Sequence, residues 1–156
     1  MTIFSTMSDS RKYFDSLKNI GPSLLSEGTT IRIKAHGYSM YPSIKPGSLL
    51  IIEPLKLKGE PKKGEIVAIK RENGLIVHRI VKIIIHGGKR FYIARGDSNS
   101  MADKPVSIEM IAGRVIKSEP TGENPSPANI SVNHRPAYFL NRIRVIFIMI
   151  RKKLLA

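Results

Sequence analysis

The chain contains no cysteine. A disulfide framework, a thiol nucleophile and a thiolate metal site are therefore excluded. It has no run of 18 apolar residues, so it offers no ordinary membrane-spanning helix. Its opening stretch, MTIFSTMSDSRKYFDSLKNI, lacks the basic start and continuous apolar core of a secretory signal. Acidic residues are scarce: 12 Asp and Glu stand against 26 Lys and Arg, a formal charge of +14. That imbalance points to an anionic partner, either nucleic acid or the surface of an acidic membrane. What is present is 156 residues, 42% of them hydrophobic. This is enough for one compact domain with a real core and too little for two ordinary enzyme domains.

The scarcity of acid is uneven. The last acidic residue is Glu123, and the 33 residues after it carry Arg135, Arg142, Arg144, Arg151, Lys152 and Lys153 with nothing to neutralise them. Composition also breaks here. Pro120, Pro125, Pro127 and Pro136 lie among Gly, Asn and Ser with no hydrophobic period, which reads as a linker. The expected organisation is a main domain over 1–118, a linker over 119–136 and an apolar, basic helix over 137–156.

Local signals predict helix, then sheet, then linker, then helix. Ser8 or Asp9 caps a short helix over Ser10 to Asn19 that buries Tyr13, Phe14 and Leu17, and Gly21-Pro22 is expected to end it. Ile31 to Lys34 alternates apolar and basic, the pattern of a half-buried strand. Ser48 to Ile52 and Ile66 to Ile69 are short apolar runs. Asn73-Gly74 is a hairpin signal, Leu75 to Ile85 is rich in β-branched residues, Gly87-Gly88 is a second turn and Phe91 to Ala94 returns. Ala112 to Ile116 closes the set. Many short strands with Gly and Pro turns predict a mainly β, small barrel-like domain.

Three segments carry chemistry. In Gly37-Tyr38-Ser39-Met40-Tyr41-Pro42-Ser43, a serine stands on a turn after a strand. Such a turn holds a hydroxyl at a cleft rim and aims backbone N–H groups at one point, as acyl transfer requires. Alone, Ser39 also reads as a turn serine bonding its own backbone. In Val77-His78-Arg79-Ile80-Val81, strand alternation puts His78 on one face with Ile76, Ile80 and Ile84. There it is either a satisfied core histidine or a general base kept neutral by apolar neighbours. In Arg95-Gly96-Asp97-Ser98-Asn99-Ser100-Met101-Ala102-Asp103, two carboxylates follow a strand. Either one can serve an Asx turn or orient an imidazole.

Taken in order, Ser-Met-x-Pro, His-Arg-Ile-Val, Gly-Asp-x-Asn with a second Asp six positions on, and Gly113-Arg114-Val115 resemble the signal peptidase I-like branch of the S24/S26 serine peptidase superfamily. Ile44-Lys45-Pro46-Gly47-Ser48 and Lys63-Gly64-Glu65-Ile66-Val67 are similar to its linking phrases. The resemblance runs from about Leu24 to Ile116. It implies a β-fold of that type and a serine endopeptidase acting on a precursor protein or peptide, with small residues preferred at P1 and P3. It implies Ser39 as nucleophile and His78 where many members carry a lysine. It maps both Asp97 and Asp103 to the catalytic aspartate, with Asp103 assigned to orienting His78 and Asp97 to shaping the loop with a share in the site. Lys70 is the rival base, out of register with the family lysine. Gly37 stands where many members place an oxyanion serine. No metal or other cofactor is implied, and His36, His86 and His134 have no ligand spacing.

The family usually carries an N-terminal spanning helix, and no such helix is legible here. The apolar stretch from Ala137 to Ile150 would reach roughly 21 Å as a helix against a bilayer core of about 30 Å, and Arg142 and Arg144 interrupt it. It suits an interfacial helix with Leu140, Ile143, Phe147 and Ile150 turned into an anionic membrane, or a helix packing that apolar face on the β-domain or a second chain. A tail this basic is expected on the cytoplasmic side, peripherally membrane-associated or free, and nucleic acid is not the expected partner. The alternatives are a self-cleaving repressor-type regulator, for which Ala112-Gly113 is the dipeptide to watch, and an inactive peptide- or membrane-binding module.

Overall fold

The computed structural model describes residues 20–57, 59–72, 74–119 and 134–155. A helix, α1, covers 20–26. Seven strands follow: β1 (Ile31–Lys34), β2 (Leu49–Pro54), β3 (Ile66–Arg71), β4 (Gly74–His86), β5 (Lys89–Arg95), β6 (Val106–Ser107) and β7 (Ile111–Glu119). Short 3₁₀ turns occupy Leu55–Leu57 and Ile108–Met110, and a second helix, α2, spans Tyr138–Leu154. The strands form one antiparallel sheet in the order β1-β2-β7-β3-β4-β5-β6. The protein is therefore mainly β, with a helix before the sheet and one after it.

The strand in the middle explains the shape. Ile66, Val67, Ala68 and Ile69 of β3 are all buried, so this part of the strand has no solvent face. Such a strand reads as a continuous apolar run rather than an alternation. Ile66 and Ala68 join Leu25, Ile31, Met40, Ile44, Leu50, Ile52, Ala112 and Val115 in one core. Val67 and Ile69 join Ile80, Tyr92, Ala94, Val106 and Ile111 in a second. Each fully buried Val or Ile contributes about 1.5–3 kcal/mol, so β3 alone anchors both halves. Irregular pairing at Ile51/Ile52, Ala68/Ile69 and Ile80/Lys82 bends the sheet around the two cores.

The structure corrects several local expectations. Residues 20–26 are helical, so Gly21-Pro22 does not end a helix. The φ of proline is itself helical, and a helix can carry one where the missing N–H is tolerated. The stop comes at Gly28, where Thr29 N–H donates to Leu24 O and Gly28 N–H to Leu25 O. The helix expected over Ser10 to Asn19 lies outside the described residues, as does most of the linker. Arg71 pairs with Gly74, so the first hairpin turns one residue earlier than Asn73-Gly74 predicts, and position 73 is itself not described. At the second hairpin His86 pairs with Lys89 around Gly87 and Gly88, both at positive φ. Two such residues make the turn whose twist matches the strands. β7 extends through Ser118 to Glu119, because its end pairs with Leu49 and Leu50 of β2. The extra residue on β4 near Val81 breaks simple alternation, so Ile83, and not Ile84, packs with Ile80.

Candidate active site

Ser39 stands on the turn between β1 and β2. Its neighbours fix it: Met40 and Ile44 are buried in the first core, and Ile44 N–H donates to Met40 O at 2.9 Å. Gly37, two residues before Ser39, has a φ of +81°. The loop 96–103 holds the turn from the other side. Ser98 N–H donates to Ser39 O at 2.9 Å, and Ser98 Oγ donates to Tyr38 O at 2.6 Å. This approach needs glycine at 96, since a Cβ there would sit 2.6 Å from Ser39 O and 2.8 Å from the Asn99 side chain.

His78 lies on β4, paired with Val67 across the sheet. Its Nδ1 is 2.6 Å from Asp103 Oδ2, with the two side chains 9% and 20% exposed. Asp103 is held in place by its own N–H, which donates to Ala94 O at 2.8 Å. With Nδ1 engaged, Nε2 is the ring nitrogen left to act on a third group. Ser39 and His78 line one cavity of about 570 Å³ together with Ile31, Ile33, Met40, Leu75 and Val77. The cavity wall is mostly aliphatic, and β1, an edge strand of the sheet, forms one side of it.

Asp97 goes elsewhere. It is fully buried, and Arg79 grips it with two hydrogen bonds, Nε to Oδ1 at 3.0 Å and the terminal nitrogen to Oδ2 at 2.8 Å. The same guanidinium donates to Gly64 O at 2.9 Å. The structure thus brings His78 to Asp103 and takes Asp97 to Arg79, so a share for Asp97 beside the imidazole is not what the geometry provides. Lys70 is paired with Leu75 near the β3–β4 hairpin and is not among the cavity residues. His36 is exposed and rims the cavity, His86 is exposed at the second hairpin, and His134 lines a separate cavity beside Arg79. Among the described residues no three His, Asp or Glu side chains converge as a metal site. Ala112-Gly113 lies inside β7, with Gly113 paired to both Pro54 and Ala68.

Three supporting residues escape a reading of the sequence. Ser98 braces the nucleophile turn, although the Gly-Asp-x-Asn phrase passes over it. Arg79 compensates Asp97. Asn141 of α2 is 3% exposed and donates its Nδ2 to Asp97 O at 2.9 Å. A lone asparagine in an apolar helix was the available signal, since a buried amide requires a partner. Nearby, Arg95 stacks 3.7 Å over the Tyr138 ring. Burial raises the Tyr138 phenol above its ordinary pKa, and the Asp97 charge adds to the effect.

Comparison with known proteins bears on the family. The Peptidase S24-like family model matches residues 6–116. Signal peptidase I W of Bacillus subtilis (strain 168) is 33% identical over 86 residues, which cover 54% of this chain and 45% of that protein. The chain therefore spans less than half the length of this relative.

Proposed function

The chain belongs to the Peptidase S24-like family and is signal peptidase I-like, and we propose that it is a serine endopeptidase cleaving an extended, apolar segment of a precursor protein or peptide. The observation that carries this reading is the 2.6 Å His78–Asp103 pair on the wall of the cavity that also takes Ser39. Ser39 Oγ attacks the peptide carbonyl while His78 Nε2 takes its proton. Asp103 keeps Nδ1–H as the donor and stabilises the imidazolium that forms. The Ser39 N–H contributes to holding the oxyanion, and with Gly37 two residues earlier no side-chain hydroxyl is available from that position. His78 then protonates the leaving amine, and water attacks the acyl-enzyme to release the acid. The edge strand β1 and the aliphatic cavity favour a substrate that adds as a strand, its backbone on β1 and alternate side chains in the cleft.

Co-expression of the wild type and Ser39→Ala with candidate precursors, read by intact mass, tests the proposal. A Ser39-dependent product is expected. Peptide binding that Ser39→Ala leaves unchanged, with no cleavage at any pH, would make this an inactive reader. Cleavage of the chain's own backbone as the sole product would make it a self-cleaving regulator. The burial of Ala112-Gly113 between β2 and β3 disfavours that outcome.

A further inference from the structure

Helix α2 has two faces of different kind. Tyr138, Asn141 and Val145 turn toward the β-domain, with Asn141 and Val145 buried. One turn from its end, Lys152 Nζ sits 5.3 Å from the Tyr38 ring centroid. Among the described residues, the opposite face is exposed. Phe139, Leu140, Ile143, Ile146, Phe147, Ile150 and Leu154 are all exposed, Phe139 at 76% and Leu154 at 80%. At about 100° per residue these seven fall in one sector roughly 120° wide. Arg142 and Lys153 border the sector on one side, and Arg144 and Arg151 on the other. The apolar side chains expected to turn away from water therefore do not pack on the β-domain.

We propose that this outer face of α2 lies on the surface of an anionic lipid bilayer. An apolar sector with cations on both flanks is what a helix needs to sink its side chains among acyl chains while its cations meet headgroups. The charge pattern selects this occupant over a second copy. A symmetric α2–α2 contact would set Arg142, Arg144, Arg151 and Lys153 against their own equivalents, with no acid anywhere on the helix to answer them. The helix lies on the bilayer and does not cross it: its 17 residues reach about 25 Å, and no described helix is long and apolar enough to span a membrane. The inner face touches both loops around Ser39, so on the peptidase reading α2 lies between those loops and the headgroups.

Flotation of the full chain with vesicles tests this without any need for cleavage, and Ser39→Ala protein serves equally well. Binding is expected to phosphatidylcholine vesicles that contain phosphatidylglycerol and to be at least about tenfold weaker without it, weakening further as salt rises. Phe147→Glu and Ile143→Glu change exposed positions, so the fold, checked by melting, should hold while vesicle binding is lost. Arg142→Glu with Arg144→Glu should abolish the preference for anionic lipid. Vesicle binding by Phe147→Glu equal to the wild type would overturn the proposal. So would a wild type that ignores anionic vesicles at low salt, or one that forms a dimer dispersed by Phe147→Glu.

Discussion

His78 and Arg79 are neighbours on β4, and each takes an aspartate from the loop 96–103. The His78–Asp103 pair keeps some contact with solvent at the cavity, with side chains 9% and 20% exposed, whereas the Arg79–Asp97 pair is sealed at 2% and 0%. Successive strand residues face opposite sides, so one loop serves both. The difference in surroundings separates the roles. A permanently charged guanidinium locked to a buried carboxylate cannot cycle a proton at neutral pH, but it can fix the loop. An imidazole at a cleft, held by one nitrogen, can cycle a proton with the other. The motif phrases meet around this arrangement: Gly64 O accepts from Arg79, and Glu65 accepts from Arg114 Nε at 2.8 Å.

The comparison breaks most sharply at Asp103. Asp103→Asn should lower kcat by about 10²- to 10⁴-fold, because the imidazole loses its tautomer and its compensating charge. Stability should change little, since the carboxylate is partly solvated. Parallel peptidase assays and urea melts check this, and a loss of stability in step with activity would place Asp103 in the scaffold instead. Asp97→Ala should show the reverse. It removes the carboxylate that balances a buried guanidinium, at a cost of about 3–5 kcal/mol in unfolding free energy. Arg79→Met combined with Asp97→Leu should recover much of that loss, because no charge is then left buried. Failure to recover would mean the pair does more than balance charge.

A smaller effect is expected at Asn141. Asn141→Ala removes the donor to Asp97 O and leaves a cavity under α2, which should cost about 1–3 kcal/mol. The comparison sharpens if hydrogen exchange shows faster opening of the loop 96–103 in this variant while β1 and β2 stay protected. Equal protection throughout would mean that α2 rests on the loop without holding it.

Where a periodic signal existed, the fold was legible. The run Ile66 to Ile69, the alternation of Ile31 to Lys34 and the Gly87-Gly88 turn each mark structure through local chemistry that survives in the folded chain. The sheet departs from prediction where one residue breaks a period, as at Val81, where alternation assigns Ile84 and the bulge delivers Ile83 to the core. The loop 96–103 has no period at all. Nothing local decides which of its two carboxylates reaches His78, because that depends on the path set by Gly96 against Ser39 and by Asp103 N–H against Ala94. Asn141 belongs to contacts between distant segments, 44 residues apart, which no local pattern encodes. The α2 sector was legible as an apolar stripe, but only the docked face shows which side of the helix is left to face outward.

The smallest effect is expected at Lys70, the other base the sequence offers. Lys70→Met should leave activity within about twofold and stability within about 0.5 kcal/mol, as for a surface substitution far from the chemistry. The pH profile makes the test independent of the mutation. A base works only when unprotonated, so the rate falls on the acid side as the base takes up a proton, and the residue that serves as base sets where that limb lies. Wild type and Lys70→Met should therefore share one acid limb. A limb that moves or disappears in Lys70→Met would transfer the base from the β4 pair to β3, and the contrast between the two aspartates would lose its chemical half.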